Sequence, residues 1–139
     1  MMEVVNMKAT VAYQQYKNSK VLTASPAELT LMLYDGCIKF CNMAVMDING
    51  KDFYKANKNI QKAERIIGEF KMTLDHRYEV AKDFDNIYDY VLRRLHEANM
   101  TKDTTILDEC ITHMRSLRDT WKEVMKRAGQ PAMPEAAQA

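Results

Sequence analysis

Residues 25–49 read SPAELTLMLYDGCIKFCNMAVMDIN, and this stretch decides the fold. Ser25 suits a helix cap, Pro26 suits the first helical turn, and Glu28 completes an S-x-x-E capping box. Apolar residues then recur at helical spacing until Asn49-Gly50 supplies a stop. Advancing about 100° per residue from Glu28 sorts this helix into faces. Glu28, Asp35, Lys39 and Asn42 share one narrow arc. Leu29, Leu33, Phe40 and Ala44 lie near the opposite side, where Gly36 allows a close helix crossing. Leu31, Tyr34, Ile38, Cys41 and Val45 form a second apolar stripe beside the first. A bundle helix usually hides a single stripe, whereas this one is apolar around well over half its circumference. Two readings are open. Either the helix is the most buried one, packed on two neighbours, or its second stripe lines a groove. Such a groove would be filled by another chain's amphipathic helix or by residues 1–24. Met32, Met43 and Met46 suit either an ordinary core or a binding surface that must adapt.

Three further segments carry the same signal. The second begins near Asp52 with the stripe Ala56, Ile60, Ala63, Ile67, Phe70 and Leu74. The third runs from about Glu79 to Ala98 with Val80, Phe84, Ile87, Val91, Leu95 and Ala98. The fourth is capped by Asp103 and carries Leu107, Cys110, Met114, Leu117, Trp121 and Val124. Connections of a few residues favour antiparallel neighbours. The expectation is therefore an all-α, antiparallel up-down four-helix bundle over residues 25–128 of a single domain spanning 1–139. Residues 1–24 have scattered apolar side chains and no sustained period, which predicts a loosely ordered leader. Residues 129–139, with Pro131 and Pro134, predict a disordered tail.

Composition narrows the function. The chain has 139 residues, 20 basic against 19 acidic, for a net charge of +1. That balance gives no field to hold a polyanion, so nucleic acid is not the expected partner. No stretch reads as the ~20 apolar residues of a bilayer span, and no secretory signal opens the chain, so membrane insertion is not expected. Cys37, Cys41 and Cys110 are an odd set that reads as free thiols in a reducing cytoplasm. Cys37 and Cys41 stack at i, i+4 but lack the four ligands of a structural zinc site. Glu109 and His113, also i, i+4, read as a surface pair, since no E-x-x-H pair of a di-iron bundle occurs. Asp83, Asp85 and Asp89 read as a solvated helix face. There is no phosphate loop, G-x-S-x-G or dinucleotide fingerprint. No catalytic, metal or cofactor site is expected, and the chain does not read as an enzyme.

Four blocks in order carry a resemblance. The run Leu22-Thr-Ala-Ser-Pro-Ala-Glu-Leu-Thr-Leu-Met-Leu-Tyr-Asp-Gly36, followed by Lys39-Phe40, resembles the signature of the flagellar secretion chaperone FliS family. Ala12-Tyr-Gln-Gln15 resembles that family's N-terminal tyrosine motif. Ile87-Tyr-Asp-Tyr90 with Arg93-Arg94-Leu95 and Glu97-Ala-Asn99 resembles its third-helix motif, and Leu117-Arg-Asp119 with Trp121 its fourth. The resemblance spans about residues 11–127.

The resemblance implies a cytoplasmic, non-enzymatic export chaperone with a helical-bundle fold. Its implied client is the C-terminal segment of flagellin, which wraps the bundle along apolar grooves, held back from premature polymerisation. A loaded chaperone would then dock with the flagellar export gate protein. It also implies that the N-terminal segment occupies part of the client surface until displaced. The residues expected to meet flagellin are Tyr13, Leu22, Leu31, Tyr34, Ile38, Cys41, Val45 and Tyr90, with residues 11–22 shielding the groove beforehand. On this reading Leu33→Lys unfolds the bundle while Ile38→Lys leaves it folded and loses the client. The apolar groove also allows weak self-association. A homodimeric helical scaffold without a flagellin client is the alternative reading.

Overall fold

In a computed structural model of the chain, residues 25–127 are described. The expected leader, with Tyr13 and Leu22, and the expected tail both lie outside them. The described residues form four α-helices: α1 (Pro26–Asn49), α2 (Phe53–Thr73), α3 (Val80–Thr101) and α4 (Thr104–Arg127). α1 packs against α2 and α4, and α3 closes the ring by packing against the same two. α1 and α3 therefore stand diagonally opposed in an up-down four-helix bundle.

The local signals act as their chemistry requires. Ser25 Oγ accepts from the Glu28 amide at 3.1 Å, and Glu28 Oε1 accepts from the Ser25 amide at 2.9 Å, closing the capping box. Asp52 caps α2 through the Lys55 amide at 3.1 Å. Asp103 accepts from the Thr105 amide at 2.8 Å at the start of α4. Glu79, before α3, makes no side-chain cap. Gly50 follows α1 without adopting a left-handed conformation; Lys51, at φ 61°, turns the chain there instead. Lys102, at φ 55°, does the same after α3, which runs to Thr101 rather than the expected Ala98. A non-glycine left-handed residue leaves no recognisable stop in a sequence.

The centre is filled by Leu33, Ile60, Ile66, Ile67, Val91, Leu95, Leu107 and Met114, all fully buried. Each such aliphatic side chain contributes about 1.5–3 kcal/mol by leaving water. Two expected stripes shift in detail. On α2, Ile66 and Asn59 join the core; the Asn59 amide donates to Asp47 of α1 at 2.6 Å, which satisfies its burial. On α3 the buried residues are Ala81, Tyr88, Val91, Leu95 and Ala98, while Val80, Phe84 and Ile87 are half-buried. Tyr88 displaces them because its hydroxyl finds a partner inside the bundle.

α1 has a neighbour on each flank. Leu33, Tyr34, Gly36, Cys37, Ile38, Phe40, Cys41 and Ala44 are all buried, which draws on both apolar stripes. Its length and composition would also suit a membrane crossing, but here its two apolar stripes pack against α2 and α4, and Tyr34 reaches Tyr88 of α3.

Candidate functional site

The side chains expected to line a client groove divide into three groups. Tyr34, Ile38 and Cys41 belong to the bundle core, at 4%, 6% and 0% exposure. Leu31 and Val45, at the margin of the same stripe, are half-buried, and Val45 packs on the core. Tyr90 stands apart on α3, half-buried against α4. The second stripe of α1 is consumed because this helix has two neighbours, one on each flank. Ile38→Lys would thus bury a charge, as Leu33→Lys would, and the expected contrast between them disappears.

Tyr34 anchors an aromatic layer across the bundle. Its ring lies 4.5 Å from Phe70 of α2, Phe70 lies 5.8 Å from Tyr88 of α3, and Tyr88 lies 6.4 Å from Phe84. The Tyr34 and Tyr88 hydroxyls share a 2.6 Å hydrogen bond that joins the two diagonal helices. Burial pushes the Tyr88 phenol up to about 12 and raises Tyr34 well above its usual value, with the neighbouring phenol adding to the latter. Trp121 ties the end of α4 to the start of α1, its indole N–H donating to the Ala27 carbonyl at 3.0 Å.

Partly open apolar side chains border the core on α3 and α4. Phe84, Ile87 and Leu92 of α3 and Trp121 of α4 each pack on the core with part of the side chain open to solvent. The sequence stripes had assigned Phe84, Ile87 and Trp121 to the interior, and Leu92 to neither face. The outer side of α3 continues as an open trough of about 560 Å³ lined by Leu92, Arg93, His96, Glu97, Met100 and Thr101. A large apolar body touching the core on one side and water on the other is the form a reversible interface takes.

Tyr90 belongs to a polar cluster between α3 and α4. Its hydroxyl donates to Glu109, which also accepts from Arg94 Nε at 2.9 Å, while His113 lies 3.9 Å away. The Tyr90 hydrogen bond, with that of Arg94, holds the Glu109 carboxyl below its ordinary value. The expected Glu109–His113 pair is thus one edge of a four-residue network. Asp85 and Asp89, expected to be solvated, both meet Lys71 of α2 at 2.6 Å.

The three cysteines are free and buried. A hydrogen bond with Cys41, then burial, raises the Cys37 thiol, and burial pushes Cys110 up to about 12. Thiols so placed are poor nucleophiles. Among the described residues no three His, Cys, Asp or Glu side chains converge to hold a metal ion. The chemistry available is apolar contact at partly open positions.

Comparison with known proteins converges on one family. The model of the flagellar protein FliS family matches residues 8–128. The flagellar secretion chaperone FliS of Bacillus subtilis is 40% identical over 114 residues, covering 82% of this chain and 86% of that protein. The flagellar secretion chaperone FliS of Salmonella typhimurium is 31% identical over 121 residues, covering 84% and 90%. A crystal structure of a bacterial flagellar chaperone superposes with a TM-score of 0.69 over 85% of this chain and 98% of its own. At 19% identity that likeness speaks for the fold.

Proposed function

This chain belongs to the FliS family of flagellar secretion chaperones, and from that premise we propose that it binds flagellin in the cytoplasm. The family is one of chaperones, not enzymes. The client segment is flagellin's C-terminal region, kept from polymerising and handed to the flagellar export gate protein. The observation that carries the reading is a set of half-buried apolar side chains, Phe84, Ile87 and Leu92 of α3 and Trp121 of α4, each seated on the core and partly open to solvent. Leu31 and Val45 on α1 and Tyr90 on α3 are further half-buried positions assigned to the client. Tyr13 and Leu22 of the leader shield these positions until the client displaces them.

A client that orders on binding spends about 2–5 kcal/mol or more of its contact energy on that ordering. A surface of partly exposed side chains therefore has to be long rather than deep. Calorimetric titration of the full-length protein with a flagellin C-terminal peptide tests this. The expected result is 1:1 binding at micromolar Kd or tighter, with a negative heat-capacity change. Ile87→Glu should weaken it at least about tenfold, or about 1.4 kcal/mol, with helical circular dichroism unchanged. Absence of binding by both the full chain and a variant lacking residues 1–18 would overturn the reading.

A further inference from the structure

A second surface, on α1 and α2, uses none of the side chains assigned to flagellin; only the claim that both partners are held together rests on the flagellin reading. The outward face of α2 carries Lys55, Lys58, Lys62 and Arg65, spaced by three, four and three residues. Four cations so spaced follow one side of the helix for about 15 Å. Among the described residues none of the four has a carboxylate at ion-pair distance. Like charges at i, i+3 and i, i+4 weaken a helix, so the row is unfavourable until something anionic lies on it.

The row is bordered by apolar side chains. Tyr54 is 71% exposed, with Lys58 Nζ 5.2 Å above its ring. Met43 and Met46 of α1 are 38% and 72% exposed. They occupy the arc of α1 that also holds Glu28, Asp35, Lys39 and Asn42. Two contacts set the register between the helices: Lys62 Nζ lies 5.3 Å over the Phe40 ring, and Asn59 bonds Asp47. In an antiparallel pair this brings Met43 and Met46 level with Lys62 and Lys58.

We propose that this face of α1 and α2 docks an acidic amphipathic helix of a second partner protein, held at the same time as the flagellin client. Residues 1–24 and 128–139 do not match it in charge. Residues 1–24 hold Lys8, Lys17 and Lys20 against Glu3, and residues 128–139 have Glu135 as their one acid. A second copy does not supply it either. The exposed faces of α3 and α4 mix Lys82 with Asp83 and Arg115, Lys122 and Lys126 with Asp119 and Glu123, and Lys71 already holds Asp85 and Asp89. A polyanion is disfavoured by the net charge of +1 and by the interleaved methionines, which match an apolar surface that varies in shape.

The test is fluorescence anisotropy of the full-length protein with a synthetic helical peptide of about 18 residues, its glutamates at i, i+3, i+7 and i+10 beside a leucine stripe. Saturable binding is expected. It should weaken at least about tenfold in Lys58→Glu/Lys62→Glu/Arg65→Glu, with the glutamine version of the peptide, and on raising salt from about 0.05 to 0.5 M. Met43→Ser/Met46→Ser should weaken it severalfold, while calorimetry with the flagellin peptide stays unchanged in every variant. Should the charge-reversed protein lose helicity, Lys58→Gln/Arg65→Gln gives the same direction with a smaller effect. No saturable binding, or equal binding by the charge variants, overturns the proposal. So does equal or tighter binding of single-stranded DNA or phosphatidylglycerol vesicles, which would mark a general anion surface. Loss of flagellin binding in the same variants would overturn the separation of the two sites.

Discussion

α1 and α3 face each other across the bundle diagonal and use their apolar residues in opposite ways. α1 is capped by a reciprocal Ser25–Glu28 box and buries residues from both of its stripes. α3 has no side-chain cap, and it leaves Phe84, Ile87 and Leu92 half in water. The helix that looks most like a binding surface in sequence is the structural one. A helix with neighbours on both flanks can be apolar over more than half its circumference and still bury the centres of both stripes, leaving Met43 and Met46 exposed beyond them. α3, with an ordinary amphipathic pattern, is the one whose expected core stripe stays partly open to solvent.

The largest effects should come from forcing charge into each helix. Leu33→Lys and Ile38→Lys both place an ammonium in the core, at 0% and 6% exposure. Each should cost about 3–5 kcal/mol, a large part of the about 5–15 kcal/mol that holds a typical domain. Ile87→Lys on α3 can turn its amine to water and should cost under about 1.5 kcal/mol. Urea denaturation followed by circular dichroism measures all three. A folded Ile38→Lys beside an unfolded Ile87→Lys would reverse the comparison.

The hydrogen bond between Tyr34 and Tyr88 is where the two helices touch chemically. Tyr34→Phe leaves the Tyr88 hydroxyl buried without its partner and should cost about 1–3 kcal/mol. The double change Tyr34→Phe/Tyr88→Phe removes both polar groups and should recover much of that loss. Alkaline pH probes the same pair. Both phenols ionise less readily folded than unfolded, so above pH 10 the unfolded chain holds fewer protons and gains. Their stabilisation is complete below pH 10; the Tyr88 part is lost as pH rises through about 12, and the Tyr34 part at alkaline pH well above the usual phenol range. Stability should fall there by about 1.4 kcal/mol per pH unit for each tyrosine. Thermal unfolding scanned from pH 9 to 12 should show a slope that flattens in the double variant. An unchanged slope would mean that the pair does not carry the effect.

This contrast explains what was legible in the sequence. The start of α1, the caps at Asp52 and Asp103 and the four helices all follow from short-range chemistry, which depends on residues within one turn. Which stripe faces inward depends on how many neighbours a helix has, and no local pattern encodes that number. Thus Tyr34, Ile38 and Cys41 read as candidates for a groove although they pack inside. Phe84 and Ile87 read as core although Ala81 and Tyr88 take the interior. Tyr88 carries no local signal for burial, because its buried hydroxyl is satisfied by one 54 residues away. The cations of α2 are a different case: spaced at three and four, Lys55, Lys58, Lys62 and Arg65 form no consecutive basic run, and only the helix brings them to one side.

The smallest predicted effects concern the ends of the same two helices. Ser25→Ala removes the side-chain acceptor for the Glu28 amide and the geometry that brings Glu28 back to the Ser25 amide. The loss should be about 1 kcal/mol. Glu79→Ala removes no cap bond, because Glu79 makes none, and should change stability by less than about 0.5 kcal/mol. Glu79 has helical backbone angles, φ −61° and ψ −37°, whereas a capping residue adopts an extended conformation. Glu79→Ser should therefore gain less than a standard cap, at most a few tenths of a kcal/mol. Denaturation midpoints at constant slope separate these outcomes. A gain approaching 1 kcal/mol from Glu79→Ser would mean that the start of α3 can rearrange to accept a cap. In that case its weaker anchoring belongs to the side chain at position 79 rather than to the backbone of the turn between α2 and α3.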